Sequence, residues 1–368
     1  MTRRLWRRAL STCAGITIFS LPGTAMAHAD PARPPSAEGW QRTASPDLNA
    51  DSSLTDVYAL SAGDVWAVGQ QEIWDVWENR GAITHWNGST WTQVPLRDAT
   101  GAGHLRGVTA TSPTDVWAIG DGHDGLPYLA RGDRGGFDRV RVSGMRVGDW
   151  LGGIDARPGR VVAVGSRDGH GLIVTGQGSW SAVKTEQKGT LYSVSGPFAV
   201  GDTGKAPLIM RHTEGAWKAM PLPDVPGGYL RDVHAEGAKR ALAVGGVFRG
   251  AGKIEPLALS WNGKKWTKVK LPSTKARLYG VAGDGKGRFW VTGYDPDRPA
   301  QAFLLRAEKD RWQIIRGGPA KGKAAVRLQS VAYLPGKGTI WAVGHALDAA
   351  DRYTDVVETF SPKGSNPS

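Results

Sequence analysis

An apolar run closing on Trp-Ala-Val-Gly returns along the whole chain. It reads Val65-Trp66-Ala67-Val68-Gly69, Val116-Trp117-Ala118-Ile119-Gly120 and Ile340-Trp341-Ala342-Val343-Gly344. Weaker copies end at Gly165, Gly201, Gly245 and Gly293, which makes seven. A Leu three residues before Val or Ile precedes each copy: Leu54/Val57, Leu105/Val108, Leu151/Ile154, Leu191/Val194, Leu230/Val233, Leu278/Val281 and Leu328/Val331. Successive Leu landmarks lie 39 to 51 residues apart. Self-similarity at that period belongs to arrays of one supersecondary unit, and this spacing is that of four-stranded propeller blades.

Each unit divides into four short strands: A (Leu-x-x-Val), B (Val-Trp-Ala-Val-Gly), C and D (Gly-x-x-Trp). Asn87-Gly88 and Asn262-Gly263 each separate two apolar runs, the strongest short hairpin signal, and predict a tight two-residue turn with positive φ at both positions. No segment sustains a capped helical period. The seventh unit stops after strand C, near residue 360, without a Trp-bearing strand D. An orphan strand D, Gly39-Trp40-Gln41-Arg42-Thr43, precedes the first strand A. Closing the ring with it removes two exposed sheet edges. The expected fold is therefore all-β, a seven-bladed β-propeller over residues 38–362 closed by an N-terminal outer strand. Of the 16 Trp, four fall on strand B and six on strand D, so most are expected to fill the space between blades.

The chain opens with Arg3, Arg4, Arg7 and Arg8, then a moderately apolar stretch, then Ala25-Met26-Ala27. This reads as an export signal, residues 1–27, and Arg3-Arg4 allows the twin-arginine route as well as the ordinary one. Residues 28–37 read as a flexible linker and 363–368 as a flexible tail. The only cysteine, Cys13, lies in the signal, so a secreted mature chain has neither a disulfide nor a thiol nucleophile. Past the signal, nothing is long enough to span a membrane. The net charge of +12 falls to +8 without the four signal arginines. That favours anionic partners, or serves solubility alone. The run Lys264-Lys265-Trp266-Thr267-Lys268-Val269-Lys270 lies on an outer strand, where lysines commonly deter edge-to-edge pairing. Export and the lack of a stacking motif exclude nucleic acid.

In a propeller, strand A lines the channel, and the D-to-A and B-to-C loops share one face. The B-to-C loops vary: those of blades three and four are short, and those of blades one, five, six and seven read as about ten residues or more. The residue after the strand A Leu also varies: Thr55, Arg106, Gly152, Tyr192, Arg231, Tyr279 and Gln329. The residue after that is Asp56, Gly107, Gly153, Ser193, Asp232, Gly280 or Ser330. Strand alternation points one of these sets into the channel. Arg106, Tyr192, Arg231, Tyr279 and Gln329 could bind a carboxylate, a phosphate or a sugar, or simply fill and hydrate the channel. With Asp56 and Asp232 turned away, the two arginines would form an anion site.

His123, His170 and His345 all read as B-to-C loop residues, while His104 and His234 lie at strand A. Convergence of the loop histidines would create acid–base or metal chemistry, but no His-x-His or His-x-x-x-His pair exists. Neither a metal nor a cofactor is expected. Trp74 and Trp77, in the first B-to-C loop, stand outside the repeat and read either as an exposed platform or as a cap on the neighbouring loop. Trp150 also lies outside the frame.

The Val-Trp-Ala-Val-Gly … His-Trp-Asn-Gly-x-x-Trp unit resembles the repeats of secreted actinobacterial β-propeller proteins, loosely similar to the kelch, WD-repeat and sialidase-like superfamilies. The resemblance spans residues 38–362 and implies architecture rather than activity. The sialidase Asp-box carries Asp where this chain has Trp86 or Trp261, so sialidase chemistry does not carry over. The sequence reads as a secreted, monomeric binding module for a ligand, glycan or protein at its loop face and channel mouth. The alternative is a lyase, cyclase or hydrolase using Tyr192, Tyr279, Arg106 and Arg231 with the loop histidines.

Overall fold

The computed structural model describes residues 39–75, 79–98, 101–177, 179–308 and 311–361. The expected export segment, linker and tail lie outside the described residues. Within them, 28 strands form seven four-stranded antiparallel sheets, with no helix. Six sheets are consecutive in sequence. The seventh combines Ala325–Tyr333, Ile340–Leu347 and Tyr353–Phe360 with the N-terminal strand Trp40–Arg42. Trp40 pairs with Phe360 and Arg42 with Glu358, so the ring closes as the orphan strand implied. Trp40 is 3% exposed and joins the apolar cluster between blades six and seven. Ser45 and Ser52, on the path into blade one, both donate to the Asp355 carboxylate of blade seven.

The repeated phrase has one structural cause. In all seven blades, strand A carries a β-bulge at the residue after the Leu, so Leu54 pairs with Gly69 but Asp56 pairs with Val68. The Gly of strand B faces this bulge. A methyl group on Gly69 would lie inside the Ser53 carbonyl oxygen, and Gly120, Gly165, Gly201, Gly245, Gly293 and Gly344 face the equivalent carbonyl. Backbone crowding therefore fixes the glycine, and the bulge bends strand A where it lines the channel.

The core divides into seven apolar clusters, one at each blade interface. Strand B tryptophans anchor four of them, with Trp341 of blade seven lying 5.5 Å from Trp86 of blade one. Of the strand D tryptophans, Trp40 and Trp266 are buried and Trp91, Trp180, Trp217 and Trp312 are half-buried.

Two local expectations need correcting. In the hairpin loops only Gly88 and Gly263 adopt positive φ. Trp86 pairs with Trp91, so residues 87–90 form a four-residue loop. Asn87 Oδ1 accepts from the amides of Ser89 and Thr90, and Asn262 Oδ1 from those of Lys264 and Lys265, so the Asn side chain makes the turn. The B-to-C loops are also shorter than expected, because strand B continues to pair beyond its Gly. The longest connects Gln71 to Arg80, and blade five passes directly from Phe248 to a turn before Ile254.

Candidate functional site

The inner strands enclose a central cavity of about 330 Å³. Arg106, Tyr192, Arg231, Tyr279 and Gln329 all border it. So do Asp56, Gly107, Gly153, Ser193, Asp232 and Ser330. The expectation that only one alternating set faces the channel is therefore wrong. The bulge interrupts the period of two, and consecutive residues share the wall.

Asp56 and Asp232 do not serve the arginines as simple counter-charges. Asp56 accepts from Ser330 Oγ of blade seven at 2.6 Å and from the Val108 amide of blade two at 2.8 Å. Asp232 accepts from Ser193 Oγ of blade four at 2.6 Å and from the Val281 amide of blade six at 2.7 Å. Each carboxylate thus ties its own blade to both neighbours. Burial pushes the Asp56 carboxyl up to about 7, against the pull of its hydrogen bonds, and raises Asp232 as well.

The two arginines occupy the same bulge position in different settings. Arg106 meets Asp121, at the end of strand B in its own blade, through Nη1–Oδ1 at 2.5 Å and Nη2–Oδ2 at 2.6 Å. Its guanidinium lies 5.3 Å from the Trp150 ring centre. Arg231 is exposed and lies 5.6 Å from the Tyr279 ring centre. Among the described residues it makes no ion pair. The Tyr192 ring stands edge-on to Trp150, at 5.8 Å between centres. Burial, then the charge and hydrogen bond of Asp202, push the Tyr192 phenol up to about 12, so it stays protonated. His104 shares a 2.8 Å hydrogen bond with Thr55 Oγ1. Burial and the Arg106 charge push His104 down to about 4, leaving it neutral near pH 7. The mouth is therefore a shelf of Trp150, Tyr192 and Tyr279 with one neutralised and one open cation.

The three histidines do not converge, and only His123 lies in a loop: His170 opens strand C, His170–Gln177. His123 Nε2 contacts the Asn79 carbonyl, and His170 Nδ1 the Asp168 carbonyl. His345 lies within strand B rather than in a loop, is buried, and bonds Ser53 Oγ at 2.9 Å. Burial and Arg327 push it down to about 4. Among the described residues, no group of three His, Cys, Asp or Glu side chains is placed to hold a metal ion. Trp74 is 63% exposed, and its ring meets Tyr353 of blade seven edge-on at 5.5 Å. Trp77 lies outside the described residues. Trp74, Val147 in the D-to-A connection into blade three, and Phe248 at the end of a strand B are exposed on the face that carries the mouth.

Sequence reasoning missed Asp121 and left Trp150 out of the site. The signal for Asp121 was present: it directly follows the conspicuous Gly120, whereas Gly246 stands at that place in blade five.

No protein-family model and no curated protein sequence matches the chain. Among solved structures, YCF48 bound to a D1 peptide is similar with a TM-score of 0.60 and 14% identity, over 90% of this chain and 100% of that one. At that identity the likeness shows the fold alone: the chain is a seven-bladed β-propeller.

Proposed function

We propose that the protein is an exported binding module that takes an acidic segment of another protein at its channel mouth. The observation that carries this reading is Arg231, an exposed cation without an ion pair among the described residues, set against Tyr279 at the rim of a 330 Å³ cavity. A planar guanidinium forks onto a carboxylate, and the aromatic shelf receives apolar side chains beside it. Trp74, Val147 and Phe248 extend apolar surface outward on the same face, as at protein interfaces whose centres are aromatic and whose rims are mixed. The peptide bound to YCF48 supports a polypeptide ligand by analogy of fold. Export rests on the arginine-rich start and the Ala25-Met26-Ala27 cleavage pattern, and no helix among the described residues is long and apolar enough to cross a membrane. The test is selection of a displayed random peptide library on the immobilised protein. Enrichment of Asp- or Glu-containing peptides on the wild type, lost on Arg231→Ala, supports the reading. No enrichment, or the same peptides on both proteins, refutes it.

A further inference from the structure

On the opposite face, blades five and six enclose a second groove of about 850 Å³. Lys239 and Arg240 from the A-to-B turn of blade five, Lys268 at the end of its outer strand, Lys270 just beyond that strand, and Lys286 from the A-to-B turn of blade six border it. Among the described residues no carboxylate lines it. Arg240 pairs with Glu236 at 3.1 Å, but the four lysines make no ion pair there. Glu236 is itself committed: its other oxygen accepts from the amides of Gly285 and Gly287, across the blade boundary. Trp312 and Asn262 give the groove an aromatic wall and an amide.

Defence of an exposed strand edge accounts for Lys268, which ends the outer strand, and for Lys270 just beyond it. It does not account for Lys239 and Lys286, which come from turns of two blades and meet at the same concavity. We propose that this groove binds a linear phosphate-bearing polymer. Ammonium groups bind phosphate as point charges without a fixed fork geometry, and Arg240 at the same groove adds a fork that also fits phosphate. Lys268 ends the outer strand and Lys270 follows two residues on, so the two charges border the groove one after the other, as successive charges of a chain require. A concave groove with charge on both walls fits a single chain in its length rather than a flat lipid surface. The site is independent of the channel mouth.

The probe is labelled short-chain inorganic polyphosphate, with binding to the full chain followed by fluorescence anisotropy across a salt series. The fourfold variant Lys239→Gln, Lys268→Gln, Lys270→Gln, Lys286→Gln is expected to weaken binding by at least about tenfold and to flatten the salt dependence by up to about 0.7 logarithmic units per lysine. A charge-matched control at Lys184, Lys205, Lys218 and Lys321 is expected to change affinity less than about twofold. Equal losses in the two variants would overturn the proposal, because net charge would then explain the binding. Orthophosphate at the same phosphate concentration is expected to compete poorly, since it lacks linked charges, and full competition would overturn the polymer reading. Tighter, groove-dependent binding to vesicles of anionic phospholipid would overturn it in favour of a membrane. If the fourfold variant fails to fold, lysine acetylation of the wild type decides: polyphosphate must protect the four groove lysines more than the control set, and uniform protection would overturn the proposal.

Discussion

Arg106 and Arg231 stand on the same bulge of the same strand, three blades apart, yet one is neutralised and the other open. The backbone that places them is shared, down to Gly120 and Gly245 opposite. The difference lies one residue further along strand B, where blade two has Asp121 and blade five has Gly246. The repeat therefore sets where a side chain stands, and a position just outside it sets what charge that side chain offers.

The shared half of this comparison is open to the strongest perturbation. Gly120→Ala and Gly245→Ala each force a methyl group into a backbone carbonyl with no flexible side chain to yield. Each is expected to destabilise the protein by roughly 3 kcal/mol or more in denaturant unfolding. A loss in one blade and none in the other would break the claim that both arginines rest on one architecture.

The clamps come next. Asp56→Ala frees the Val108 amide of the blade that bears Arg106, and Asp232→Ala frees the Val281 amide beside the blade that bears Arg231. Each loss is expected to cost about 1–3 kcal/mol. The Asp56 carboxyl is raised to about 7 from an ordinary 3.8, so its contribution is full below the lower value and is lost as pH rises through the upper one. His104 and His345, lowered to about 4 from 6.5, contribute fully above 6.5 and lose that contribution as pH falls. Between about pH 4 and 7 the Asp56 loss therefore works against the gain from the two histidines, and the melting temperature should rise more steeply with pH in Asp56→Asn than in the wild type. An unchanged profile would contradict the raised carboxyl.

The smallest effect on stability sharpens the contrast most. Asp121→Asn removes the partner of Arg106, whose side chain is 19% exposed, and should cost no more than about 1 kcal/mol. It should also convert Arg106 into a second open cation. Faster reaction of Arg106 with phenylglyoxal in this variant, approaching that of Arg231, is the expected readout. An unaltered rate would mean that Trp150 rather than Asp121 shields it.

The ring was legible in the sequence because its frame obeys backbone constraints that recur seven times: the Leu of strand A and the Gly of strand B do the same job in every blade, and a strand B Trp marks four of them. Closure was legible because Trp40 was an outer strand without a blade and blade seven a blade without an outer strand. The set of variable residues was legible too, since it broke an otherwise constant frame. The bulge was not, because a period of two assigns neighbouring residues to opposite faces and only the Gly hinted at a backbone approach. Nor was the pairing of Arg106 with Asp121, which lie 15 residues apart and meet only when strands A and B are in register. The histidines misled for the same reason: His345 looks like a loop residue until strand B is seen to run on past Gly344 to Leu347.

The asymmetry of the mouth is tested most directly by the affinity of an acidic peptide, enriched on the wild type, for Arg231→Ala and Arg106→Ala measured side by side at two salt concentrations. An open cation at Arg231 predicts a loss of about tenfold or more in the first variant, with a weaker salt dependence, and a change within about threefold in the second. Equal losses in the two variants, or a larger loss in Arg106→Ala, would contradict the assignment of the anion site to blade five.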